Sequence, residues 1–245
     1  MHQATGSVVF AVADGVSGAT ESHRGAVEAS RACVERILHL LSRSPAPLDP
    51  ADVAVFAAYR LQELARWRLG TGDAGPDDAA HLFATTVVAG AVRPTPGGPR
   101  VELFRVGDSG AWLLDRSKGR YRPLFALKTG TDTEVVGNEV APLPRVPDRP
   151  EQAVFRLGEP WVLLVGTDGF GDPLGEGDGA VGALFARQLA VPPSPLWLGH
   201  VLDFSRETFD DDRTLLAVWP RTATGPTPEP GPVPEARPVP EEGPR

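Results

Sequence analysis

SVVFAVADG, residues 7–15, is a short apolar run that stops at Asp14-Gly15. Its length and β-branched content predict a buried strand over Ser7–Ala13. The Asp-Gly pair is a turn signal. Two later stretches share this form. WVLLVGTDG, residues 161–169, is an apolar run ending at Thr167-Asp168-Gly169. In mirror order, Asp210-Asp211-Asp212-Arg213-Thr214 precedes LLAVW, residues 215–219. An aspartate at the end of a buried strand is rigidly held, and strands lying side by side bring such ends together. Hard cations such as Mg²⁺ and Mn²⁺ want an oxygen-rich site of this kind, and a glycine beside the aspartate permits close backbone approach. Taken singly, each Asp-Gly reads as a tight turn and the aspartate run as a solvated cluster. Gly107-Asp108-Ser109-Gly110, alone, reads as a hairpin turn between two apolar runs.

Outward from these runs, apolar residues recur at helical spacing from about Arg24 to Ser42, with Cys33 on the inward stripe. Asp49-Pro50 is an N-cap followed by proline at the first helical position. It opens a second helix to about Trp67, with Val53, Phe56, Leu64 and Trp67 inward. Gly70–Asp78 reads as a loop. Strands are predicted at Thr85–Val92, Arg100–Val106, Ala111–Leu114 and Trp161–Val165, with an irregular region over Lys118–Glu151. Helices follow at Val181–Leu189 and Leu196–Phe209, then a last strand at Leu215–Trp219. The later strands are close enough in sequence for antiparallel pairing. Residues 1–221 form the predicted domain. Residues 222–245, rich in Pro and Glu with almost no apolar content, are expected to be disordered or polyproline II.

The chain has 245 residues, 41% of them hydrophobic, which supports a sizeable core. A formal net charge of -8 argues against nucleic-acid or anionic-membrane partners. There is one cysteine, so no internal disulfide, and a cytoplasmic location fits. No apolar run has the roughly 18 residues of a membrane span, and Met1-His2-Gln3-Ala4 lacks signal-peptide character.

In order, the motifs VVFAVADGVSG, FATTVVAGAV, LFRVGDSGAWLL, LLVGTDGFGDPL and DDDRTLLAVW resemble the protein phosphatase type 2C family, the metal-dependent PPM-type serine/threonine phosphatases. The resemblance runs from Val8 to Trp219. It implies an α+β fold, a four-layer αββα sandwich of two antiparallel sheets flanked by helices. It implies two Mg²⁺ or Mn²⁺ ions, with Asp14 bridging them and the Gly15 carbonyl contacting one. Asp168 and Asp212 would hold the other; Asp212 is preferred to Asp211 because it directly precedes Arg213 and the following strand. Asp108, in the GDS turn, resembles a residue that helps bind a third ion. No catalytic side chain is implied beyond a metal-bound water that attacks phosphoserine or phosphothreonine. The implied partners are a phosphoprotein substrate and a serine/threonine kinase or its targets.

The sequence departs from the family in places. Val16 stands where relatives carry Met or His. The flap region, about Lys128–Arg149, lacks the family's signatures. Family members also carry an Arg and an acidic metal ligand before the first strand run, and Met1–Gly6 contain neither. The sequence alone reads this as a start lying further upstream, a trimmed chain or a degenerate member. Loss of the phosphate-gripping Arg would cost about 1.5–3 kcal/mol. Three readings follow: a metal-dependent phosphoprotein phosphatase, a pseudophosphatase acting as a regulatory binding module, and an unrelated α/β protein whose Asp turns are structural.

Overall fold

The structure is a computed structural model describing residues 2–44, 46–126, 141–204 and 211–220. The leading run forms strand β1 (Val8–Gly15), which pairs antiparallel with β2 (Thr85–Arg93), Val8 opposite Val92 and Gly15 opposite Thr85. β2 pairs with β3 (Arg100–Val106), whose other side takes β6 (Glu151–Arg156). The second sheet has the order β5 (Arg120–Pro123), β4 (Gly110–Asp115), β7 (Trp161–Gly166), β8 (Leu215–Val218), again antiparallel throughout. The helices are α1 (Ser22–Arg43), α2 (Pro50–Leu69), α3 (Pro76–Phe83), α4 (Asp168–Leu174), α5 (Ala180–Gln188) and α6 (Pro195–Leu202).

Side-chain alternation assembles the layers. In β2, Val87, Ala89 and Ala91 pack with Ala29, Cys33, Ile37, Ala57 and Leu61 of α1 and α2. Val88 and Val92, one residue out of phase, pack against Leu113, Leu163 and Val165 of the second sheet. On that sheet's far face, Trp112, Leu114 and Leu164 meet Phe170, Leu174 and Phe185 of α4 and α5. The result is the expected order of helices, sheet, sheet, helices. A strand buried on both faces reads as a continuous apolar run rather than an alternating one, as β2 does.

Local chemistry accounts for the helix starts. Asp49 caps α2 by accepting from the Ala51 N–H at 3.0 Å, with Pro50 inside the first turn. Cys33 is fully buried and its thiol is pushed up to about 12 by that burial, so it is an inert core group.

Several expectations are corrected. Trp67 is not an inward residue; it is 73% exposed. The buried stripe of α2 runs through Val53, Ala54, Ala57, Ala58, Leu61 and Ala65. Trp67, two residues beyond Ala65, falls about 200° round the helix. Part of the expected loop Gly70–Asp78 is the start of α3, where Pro76 opens the first turn and the Asp78 carboxylate accepts from the Gly75 N–H at 2.9 Å. The expected irregular region contains β5, an exposed edge strand too polar to read as one, and reaches the start of β6. α4 also escaped the sequence reading, because DGFGDPL carries two glycines and a proline in seven residues. Gly107–Ser109 is not a hairpin turn: β3 and β4 lie in different sheets, so it is the crossing between them. α6 ends at Leu202. Residues 205–210, the first part of the flap region (128–140) and the tail 222–245 lie outside the described residues. Among the described residues no helix is long and apolar enough to cross a membrane.

α1 is seated closely on α3. A Cβ at Gly25 would lie 2.1 Å from the Phe83 carbonyl oxygen, a backbone atom with nowhere to go. Gly25→Ala is therefore expected to cost about 1–3 kcal/mol or more, by overpacking. A urea titration would show a lower midpoint; an unchanged midpoint would mean that the helix shifts freely.

Candidate metal centre

Antiparallel register decides which strand ends meet. The end of β1 lies opposite the start of β2, with Gly15 against Thr85, and the end of β3 opposite Val87. In the other sheet, Gly110 at the start of β4 faces Gly166 at the end of β7, which faces Leu215 at the start of β8. The segments holding Asp14, Asp168 and residues 211–214 therefore sit at corresponding ends of the two sheets. Carboxylate oxygens of Asp14, Asp168 and Asp211 lie within 4.8 Å of one another; the first two residues are half-buried and the third exposed.

Each carboxylate is oriented by the next backbone N–H. Gly15 donates to Asp14, Gly169 to Asp168 at 2.9 Å, and Asp212 to Asp211 at 2.9 Å. Two buried threonine hydroxyls hold the backbones behind them. Thr85 Oγ1 donates to the Asp14 carbonyl at 2.5 Å. Thr167 Oγ1 donates to the Asp212 carbonyl at 3.3 Å and accepts from the Thr214 N–H at 3.1 Å, locking the segment beside Asp168. Further back, Thr86 and Ser109 hydroxyls join at 2.7 Å, tying the sheet crossing to β2. Sequence reading missed these hydroxyls. The signal available was the Thr pair opening β2 and the Thr of TDG, polar residues at the rim of apolar runs.

The glycines after Asp14 and Asp168 have a packing reason. A Cβ on Gly15 would come within 2.7 Å of Ser22 at the start of α1, and one on Gly169 within 2.3 Å of the Asp212 carbonyl oxygen. The site is built by backbone segments in direct contact.

Two of the aspartates singled out from sequence, Asp14 and Asp168, are brought together with Asp211 in place of Asp212. Asp212 contributes its backbone to the site, through its carbonyl to Thr167 and its N–H to Asp211. The segment 211–214 precedes β8 and has no strand alternation of its own, so position in the run could not say which neighbour turns inward. Asp108 is exposed in the crossing between the sheets and is not part of the three-carboxylate cluster.

The cluster is electrostatically costly without a cation. The Asp14 carboxyl is pushed up from 3.8 to about 7, first by burial, then by its hydrogen bond with Asp168 and by the negative charges of Asp168 and Asp211. Close, hard oxygen donors that repel one another suit a small divalent cation, so the residues present fit Mg²⁺ or Mn²⁺.

A pH dependence follows. Because the folded-state value lies above the unfolded one, the metal-free protein binds more protons folded than unfolded between 3.8 and about 7. Its stability is full below that window and falls as pH rises through about 7. A divalent cation takes the carboxylate form and displaces the proton. Mn²⁺ added near neutral pH is expected to release protons into weakly buffered solution, with tighter binding as pH rises to about 7. Binding that releases no proton would contradict this.

A family model described as Protein phosphatase 2C matches residues 1–193. Among solved structures, the Mycobacterium tuberculosis serine/threonine phosphatase PstP is similar at 18% identity, over 88% of this chain and 92% of that one, with a TM-score of 0.54. The catalytic domain of PstP in complex with two manganese ions is similar at 18% identity, over 87% of this chain and 90% of that one, with a TM-score of 0.52. Serine/threonine phosphatase Stp1 from Staphylococcus aureus is similar at 15% identity, over 80% of each chain, also with a TM-score of 0.52. At these identities the likeness is one of fold. No curated protein matches the chain.

Proposed function

The chain belongs to the protein phosphatase 2C family, and from that premise we propose that it hydrolyses phosphoserine and phosphothreonine in proteins with Mg²⁺ or Mn²⁺ held by Asp14, Asp168 and Asp211. The observation that carries this reading is the meeting of three carboxylates within 4.8 Å at one end of the paired sheets. When bound, the cations supply Lewis acidity toward the phosphoryl group and an activated water as nucleophile. The chain's own work is to hold mutually repelling carboxylates in place. Thr85 fixes the backbone at Asp14, and Thr167 fixes the segment that carries Asp211. The Gly15 carbonyl, on the residue next to Asp14, is a further oxygen donor in this reading. Asp108 remains a candidate for an additional ion only. The natural opposite of such an enzyme is a serine/threonine kinase acting on the same phosphoproteins, in the cytoplasm, where a single buried thiol is at home.

A second reading is a regulatory module that binds phosphoprotein without turnover. One experiment separates the two. The chain is mixed with Mn²⁺ and a phosphothreonine peptide, and phosphate release and melting temperature are followed. Release that chelation abolishes is the expected result. A metal-induced rise in melting temperature without release would favour the binding module. Neither effect would remove both readings.

A further inference from the structure

α6 is apolar on more sides than the domain uses. Leu198, Val201 and Leu202, at i, i+3 and i+4, face the core beneath. Leu196 and Trp197 face away and are 87% and 47% exposed, and Val191, in the connection before the helix, is 65% exposed. Three prolines lie between Val191 and Leu196, so the stretch from Val191 to Trp197 is apolar in composition and carries three exposed large apolar side chains. Its aromatic part is held in place. Trp197 Nε1 donates to Gln188 Oε1 at 2.8 Å, and the Trp197 ring lies 5.2 Å from the His200 ring. A pre-set Trp face flanked by aliphatic groups is the kind of surface on which proline-rich segments dock, because polyproline II pays little ordering entropy.

The last described residues of the chain lie beside this stretch. Trp219, just past β8, donates from Nε1 to the Leu189 carbonyl at 2.9 Å. Leu189 adjoins Gln188, the residue that holds Trp197. The described chain ends at Pro220 on this side of the domain, and residues 221–245 leave from there. That segment contains Pro-Val-Pro-Glu twice, at 232–235 and 238–241, and its valines are the largest apolar side chains in it. Val233 lies thirteen residues beyond Pro220. At about 3.1 Å per residue in polyproline II they span up to ~40 Å, ample for a surface beside the exit. Arg187, exposed and next to Gln188, is a counter-charge for the glutamate that closes each repeat.

We propose that the Pro-Val-Pro-Glu repeats of residues 221–245 dock on the Val191–Leu196–Trp197 surface of the same chain. Tethering makes even a weak contact effective, since a short flexible linker gives an effective concentration on the order of millimolar. The inference does not depend on the metal centre.

The test uses the full chain and a glutamate-specific protease, following cleavage of the Glu235–Ala236 bond between the repeats. Leu196→Asp and Trp197→Ala lie far in sequence from that bond and leave its recognition unchanged. Leu196 is so exposed that its replacement spares the core. Cleavage is expected to be about 3–10-fold faster in both variants than in the parent, since cleavage of an opened state tracks its population. Trp197→Phe is expected to retain the protection. Equal rates in the parent, Leu196→Asp and Trp197→Ala would overturn the proposal. Protection in the parent that disappears on hundredfold dilution would overturn it too, by giving the surface to a second copy of the chain.

Discussion

Asp14→Asn is expected to abolish Mn²⁺-dependent phosphate release while making the metal-free protein more stable at neutral pH. The two effects have one cause. The Asp14 carboxyl is pushed up to about 7 by burial and by Asp168 and Asp211. An amide keeps the shape and removes the charge that burial penalises. After allowance for solvent screening of a half-exposed group, the gain above pH 7 is on the order of 1 kcal/mol, or about 2–4 °C in melting temperature for a domain of this size. On the proposed reading, the same change removes one of the three carboxylates that hold the cation. Altering even the outer partners of a metal ligand costs about 10–100-fold in affinity or activity, so loss of an inner one should exceed about 100-fold. The Mn²⁺-induced rise in melting temperature, worth about 2.7 kcal/mol at a hundredfold excess over Kd, should vanish with it. Thermal melts of both proteins with and without Mn²⁺, at about pH 5 and pH 8, check the pair of effects. Parent-like turnover by Asp14→Asn would reject the site. A metal-free variant less stable than its parent at pH 8 would reject the electrostatic account.

Asp211→Asn and Asp212→Asn, neighbours in sequence, are expected to behave oppositely. Asp211 places a carboxylate oxygen within 4.8 Å of those of Asp14 and Asp168. Asp212 is tied into the site by its backbone, which the substitution leaves alone. Asp211→Asn should lower Mn²⁺ affinity and turnover by about 100-fold or more, and Asp212→Asn by less than about threefold. Calorimetric Mn²⁺ titration of the two variants decides between them. The reverse ranking would restore Asp212 as the ligand.

The pattern of legible and illegible features has physical causes. Strands buried on both faces, such as β2 up to Val92, announce themselves because their buried positions are filled by apolar or small residues. The amphipathic α1 and α2 announce themselves by period and, for α2, by the Asp49-Pro50 cap. The edge strand Arg120–Pro123 does not, because a strand exposed on most of its residues has no apolar face to repeat. Asp14 and Asp168 were legible as carboxylates ending rigid strands. The hydroxyls of Thr85 and Thr167 were not, since what matters about them is a partner 71 or 45 residues away.

By itself, the sequence predicted the strands that lead to or from the aspartates, the two amphipathic helices and an oxygen-rich chemistry of the kind hard cations want, whereas the layer order followed from the resemblance of its ordered motifs to a family. The local features depend on composition and period, which a linear string records. Tertiary structure alone decided that Asp211 rather than Asp212 joins Asp14 and Asp168, that Gly107–Ser109 crosses between sheets, and that the Trp197 face stands beside the chain's exit. These depend on which backbone segments touch. Contacts such as Gly169 against the Asp212 carbonyl and Trp219 against Leu189 are set by packing over long sequence separations.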